Sequence, residues 1–190
     1  MAQEYNDMKK SNCIHLWLAM LMFVLLSTGC KPSHSEPANA GADDELGLSV
    51  QVLNYMDEGI GVVYVNGEWA GSMSSHAGGN SIAGSVGLPA KWRPGLTVEV
   101  EWQDDALYAK DPNGLYKATV PVERYDTIHS GFLWLAFFPG KKIRAIPSGT
   151  SPGFPGFPDG LRNPFDLCMR DAKCSAKYYP NRKLIQGKDQ

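Results

Sequence analysis

Hydrophobic and polar positions alternate with a period of two through the middle of the chain. Leu48, Val50 and Val52 are separated by Ser49 and Gln51, the pattern of a half-buried strand. The apolar run 60–65 is followed by Asn66-Gly67 and then by Glu68-Trp69-Ala70-Gly71. Asn-Gly between two such runs predicts a hairpin, because a type I′ turn needs positive φ at both central residues. Residues 71–87 are rich in Gly and Ser, with a strand expected around 82–86. Leu96, Val98, Val100 and Trp102 alternate with Thr97, Glu99, Glu101 and Gln103. One face of that strand meets a core and the other meets water, which favours an antiparallel sheet. Tyr116, Ala118, Val120 and Val122 repeat the pattern, and Pro121 marks an edge or a strand end. The run 131–138 is apolar on both faces, as in a central strand covered on both sides. Pro139-Gly140 turns it, and 142–146 returns as its partner. Short strands with regular turns and no long helical period before residue 150 predict an all-β fold, an antiparallel β-sandwich. Its architecture is immunoglobulin-like only in outline, since the Cys…Trp…Cys marker is missing.

After Pro147 the pattern breaks. Residues 148–164 carry two adjacent Gly-Phe-Pro triplets, far too few for collagen. They predict an extended Pro/Gly-rich loop that lays Phe154 and Phe157 on the sandwich. Asn163-Pro164 opens one short helix over 165–173, Pro being well placed in a first turn. The residues from about Asn181 onward are expected to fray. The domain plan is therefore a leader at 1–29, a tether at 30–46, a sandwich at 47–148 and a C-terminal extension at 149–190 packed on it.

The leader carries its own signal. Lys9 and Lys10 precede an apolar run at 14–26, which small residues and Cys30 follow. A spanning helix needs about 20 apolar residues, so this run is too short. Positive flank, short apolar core and small-residue exit describe a secretory signal. Glu4 and Asp7 are out of place in a positive flank, and Met8-Lys9-Lys10 makes the better start. The segment Leu26-Ser27-Thr28-Gly29-Cys30 resembles bacterial lipoprotein signals, which implies that Cys30 becomes the first mature residue and carries lipid. Lys31 in place of Asp after it resembles outer-membrane sorting. The expected location is thus a periplasm-facing, lipid-anchored position on the membrane. Residues 31–45 are polar and Pro-containing, too poor in apolar surface to offset ordering entropy.

The net charge of −2 argues against a nucleic-acid partner, which usually requires a basic face. It is unevenly distributed. Residues 141–190 hold 10 basic and 4 acidic side chains, and residues 30–140 hold 6 and 14. The two segments either complement one another within one body or offer two patches to a partner. Cys168 and Cys174, an even pair in an oxidising compartment, are expected to form a disulfide, worth about 2 kcal/mol for so short a loop. They lack the second ligand pair of a zinc site.

Candidate chemistry is sparse. Asp126, His129 and Ser130 have triad residue types, but triads are assembled in space rather than within five positions. His76 sits in a Gly/Ser-rich loop. Glu99, Glu101, Asp104 and Asp105 cluster around Trp102, and the rise along a strand permits a carboxylate spacing of about 7 Å. The solvent face of a sheet explains them more simply. No hydrolase, zinc-protease or phosphate-loop motif occurs. The expectation is a protein with no catalytic residues, no metal and no cofactor, and so not an enzyme.

Three segments carry a resemblance: 88–102 with Lys91-Trp92-Arg93-Pro94-Gly95, 120–126 with Pro121-Val122-Glu123-Arg124-Tyr125-Asp126, and 137–140. Together they resemble a family of bacterial lipoproteins of unknown function, common in proteobacteria with type VI secretion. Its members are often encoded beside secreted phospholipase effectors and are regarded as their immunity proteins. The resemblance implies a binder of a secreted phospholipase toxin. Trp, Tyr and Arg dominate binding hot spots, which makes Trp69, Trp92, Arg93, Trp102, Arg124 and Tyr125 the candidate contacts. Each can equally be a core or turn residue, and Arg124 can hold Asp126 within the fold. The alternative is a structural, cell-wall-binding or assembly-binding envelope lipoprotein without inhibitor activity, which an exposed aromatic groove would favour. An enzyme on an unfamiliar scaffold would instead need a deep pocket with convergent titratable groups.

Overall fold

In the computed structural model, residues 45–79, 84–126 and 130–185 are described. The leader, Cys30 and the tether up to residue 44 lie outside them. The strands are β1 (Glu45–Asn54), β2 (Ile60–Val65), β3 (Glu68–Met73), β4 (Ala77–Gly78), β5 (Ser85–Pro89), β6 (Thr97–Asp104), β7 (Tyr116–Pro121), β8 (Phe132–Phe138) and β9 (Lys142–Ser148). Among the described residues three short α-helices, α1 (Asp105–Tyr108), α2 (Pro164–Arg170) and α3 (Ala172–Tyr178), and a 3-10 turn at Pro158–Gly160 accompany them. Among the described residues no helix is long and apolar enough to cross a membrane.

The alternating strands form the two layers of a β-sandwich. One sheet has the order β3-β2-β6-β7 and is antiparallel throughout. Asn66 at φ 50° and Gly67 at φ 84° make the β2–β3 turn that the Asn-Gly pair predicts. β7, ending at Pro121, is an edge strand as expected. The other sheet has the order β4-β1-β8-β9, with β5 also paired to β1. Leu48, Val50 and Val52 of β1, Val98, Val100 and Trp102 of β6, and Leu133, Leu135 and Phe137 of β8 pack between the layers. The buried hydrophobic residues begin at Leu48 and end at Met169, so the described body carries its own core.

Three expectations are corrected. The sandwich is not purely antiparallel, because β1 and β8 pair in parallel, Ser49 opposite Phe132 through Asn54 opposite Phe137. After β1 the chain forms β2 and β3 of the other sheet, returns to pair β4 and β5 with β1, completes the other sheet with β6 and β7, and re-enters as β8 beside β1 in the same direction. Gln51 does not face water but is 3% exposed. The outer face of β1 and β8 is covered, with Leu53, Trp134, Ala136, Ile146 and Phe157 forming a second apolar cluster. Here the loop expectation is half met: Phe157 packs on Trp134 with ring centres 5.9 Å apart, whereas Phe154 is 66% exposed. Finally, one C-terminal helix becomes two. Asn163 caps α2 through Phe165 N–H, and Asp171 breaks the run and caps α3 by accepting from Lys173 and Cys174 N–H. The Cys168–Cys174 disulfide bridges this break.

Candidate partner-binding surface

The loop from β5 to β6 carries Lys91, Trp92 and Arg93 and closes with a turn in which Leu96 N–H donates to Arg93 C=O at 3.3 Å. Pro94 and Gly95, the latter at φ 84°, suit the two central positions of a type II turn. The loop is stitched to the chain leaving β7. Trp92 Nε1–H donates to Val122 C=O at 2.9 Å, Val122 N–H to Leu96 C=O at 2.9 Å, and the Tyr125 hydroxyl to Pro89 C=O at 2.5 Å. The Arg124 guanidinium lies 5.9 Å from the Trp92 ring centre, within reach of a cation–π interaction. Lys91, Arg93 and Arg124 are exposed and Trp92 is half-buried. The fold thus brings Trp92, Arg93, Arg124 and Tyr125 to one rim, although they are far apart in sequence.

The six candidate contacts divide accordingly. Trp92, Arg93 and Arg124 offer surface. Tyr125 is corrected to a buried positioning residue; burial pushes its hydroxyl pKa up, while the Arg93 charge opposes that shift. Trp102 is corrected to a core residue, 3% exposed, with its ring against Tyr116 at 5.3 Å and Phe137 at 5.8 Å. Its place in the apolar phase of β6 was the legible signal. Trp69 is 52% exposed but lies on β3, across the sheet from β7, in register with Tyr64.

The acidic cluster is engaged by the fold itself. Glu99 accepts from Thr119 Oγ1, Glu101 pairs with Lys117 Nζ at 3.1 Å, Asp104 caps α1 through Leu107 N–H, and Asp105 accepts from Gly59 N–H at 2.8 Å. An open depression of about 390 Å³ lies beside Gly59, Ile60, Asp105 and the serines at 72, 74 and 75, with Asp105 as its one titratable group.

A second polar cluster escaped sequence reasoning. His76 Nε2 lies 2.8 Å from Asp57 Oδ1, Lys177 Nζ is 3.0 Å from Asp57 Oδ2, and the His76 ring rests on Tyr178 at 4.6 Å. The His76 hydrogen bond, with Lys177 adding to it, holds the Asp57 carboxyl well below the usual range. Ser75 Oγ–H donates to the Asp57 backbone carbonyl rather than to the imidazole. Tyr179 completes the contact by donating to the Ser75 and His76 carbonyls. The cluster clasps α3 to the far end of β1. His129 lies outside the described residues, and Asp126 is exposed. Among the described residues, no group of three His, Cys, Asp or Glu side chains is arranged to hold a metal.

Residues 53–145 match the model of one family. Its description is a protein of unknown function, DUF3304. The match runs from the end of β1 into β9 and contains the whole Trp92–Arg124 rim, leaving α2, α3 and the disulfide outside. No curated protein and no solved structure matches the chain.

Proposed function

We propose that this chain is a membrane-anchored periplasmic lipoprotein that binds and neutralises a phospholipase toxin delivered by type VI secretion. The observation that carries the reading is the rim itself: a tryptophan fixed by its own N–H to Val122, stacked with Arg124 and flanked by Lys91 and Arg93. Fixing an aromatic side chain before contact lowers the ordering cost of association. Exposed cations around it steer an acidic partner surface and fix its register. The resemblance of the Lys91–Gly95 and Pro121–Asp126 segments to immunity lipoproteins supplies the partner class. Lipid on Cys30 supplies the place, since the toxin attacks the membrane to which its inhibitor is tethered; two acyl chains anchor stably. Inhibition by occlusion needs no catalytic group. The test is to mix oxidised residues 31–190 with the lipase-type effectors secreted by the source organism. The reading expects a stable complex and loss of lipase activity at stoichiometric mixing. Failure of every such effector to bind would retire it.

A second reading rests on a different observation. Trp69, Tyr64, Glu101 and Lys117 form one cross-strand row on the outer face of the first sheet, an aromatic and polar surface suited to a cell-wall glycan. Co-sedimentation with peptidoglycan sacculi, abolished by W69A and untouched by R124A, would favour that envelope-binding role.

A further inference from the structure

The C-terminal helices present a surface that the toxin-binding reading does not use. Leu167, Leu184 and Ile185 are 42%, 44% and 38% exposed. They are not scattered: Ile185 N–H donates to Met169 C=O at 3.0 Å, which folds the tail back against the last turn of α2, where Leu167 lies. Lys173 on α3, and Arg182 and Lys183 just before Leu184 in the tail, are exposed, with Arg182 over the Phe165 ring at 5.2 Å. Of the acids in this segment, Asp166 is half-buried and Asp171 is turned to the α3 N-terminus. The rest of the body has the opposite sign, with 11 acidic and 5 basic residues between 45 and 140.

Position adds to this. β1 begins beside Pro89, at the Trp92 rim. It ends at Asn54, next to the point where Tyr55 donates to Arg162 C=O and Asn163 to Gly78 C=O, which seats α2. The helices are therefore seated beside the Asn54 end of β1, whereas the rim is held to the chain leaving β7 and, through Pro89, to the start of β1.

We propose that the α2–α3 end is a peripheral contact surface for an anionic lipid bilayer. Aliphatic side chains at the centre enter the boundary between headgroups and acyl chains, while the surrounding Lys and Arg keep their charges among the lipid phosphates. Juxtaposed basic residues are attracted to anionic leaflets, and the acidic body is repelled by them, so the helices face the membrane and the acidic strands stand away from it.

Oxidised residues 31–190, which contain the complete core and no lipid, would be sedimented with vesicles of equal parts phosphatidylcholine and phosphatidylglycerol, and with phosphatidylcholine alone. The expected result is binding to the anionic vesicles only. K173Q/R182Q/K183Q should weaken it about a hundredfold, and L184S/I185S should weaken it while leaving the circular dichroism spectrum unchanged. W92A/R124A should bind vesicles normally, which separates this surface from the rim. Failure to bind anionic vesicles, or binding that the charge variant leaves unchanged, overturns the proposal. The first of these outcomes would assign the cations to an acidic protein surface instead.

Discussion

Single side chains settle where the sandwich ends and its loops begin. Asn54, the last residue of β1, is fully buried. Its Nδ2 donates to the Glu58 and Ser74 carbonyls at 2.8 and 3.1 Å, and its Oδ1 accepts from Met56 N–H at 3.0 Å. N54L would remove these bonds, leave the buried Met56 N–H without its acceptor, and should cost about 2 kcal/mol in equilibrium unfolding. The partners at Met56 and Glu58 are local, but the bond to Ser74 depends on the fold bringing the loop after β3 to the end of β1. Asp57 carries a pH dependence. Its carboxyl pKa is lower folded than unfolded, so its contribution to stability is complete above the ordinary carboxylate range near 4. That contribution is lost as the pH falls through that range toward the folded value. Acid titration monitored by hydrogen exchange should therefore loosen α3 before the sandwich, and D57N should flatten that part of the profile. Trp102 was legible as core from strand parity. Tyr125 was not, since the alternation stops at Val122 and its burial comes from the loop that crosses it.

At the scale of elements, local pattern named the strands and could not name their partners. β1 and β8 each have the composition of a buried strand, but that they lie side by side in parallel is a property of the crossover through the other sheet. The C-terminal extension follows the same rule. Asn163-Pro164 announced α2, while Asp171 looked like a helix-interior residue and instead caps α3. Three devices hold the extension down. Phe157 fills the outer face beside Trp134. Arg144 pairs with Glu123 at 2.6 Å and with Asp159 at 2.7 Å, which holds its own pKa above the usual value. The disulfide fixes the α2–α3 break. F157A should cost about 3 kcal/mol and raise the fluorescence quenching of Trp134 by added acrylamide. C168S/C174S should cost about 2 kcal/mol, with faster amide exchange confined to α2 and α3. Uniform acceleration through β6 and β8 would instead make the disulfide part of the global fold.

For the molecule as a whole, the strand plan and the extension reach the eye from sequence, and the functional surface does not. Four of the six candidate residues meet at one rim only because the β5–β6 loop is hydrogen-bonded to the chain leaving β7. That meeting depends on topology. The rim and the basic helical surface involve different residues of one sandwich, so the two proposed contacts can be tested independently. The most direct test of the central claim is a calorimetric titration of the cognate lipase-type effector into residues 31–190, with lipase activity measured on the same mixtures. The account predicts that activity falls in step with occupancy. It also predicts that W92A and R124A each weaken binding by about 2 kcal/mol, roughly thirtyfold, and that W69A does not. Full inhibition by W92A/R124A would contradict it and move the toxin contact to another face.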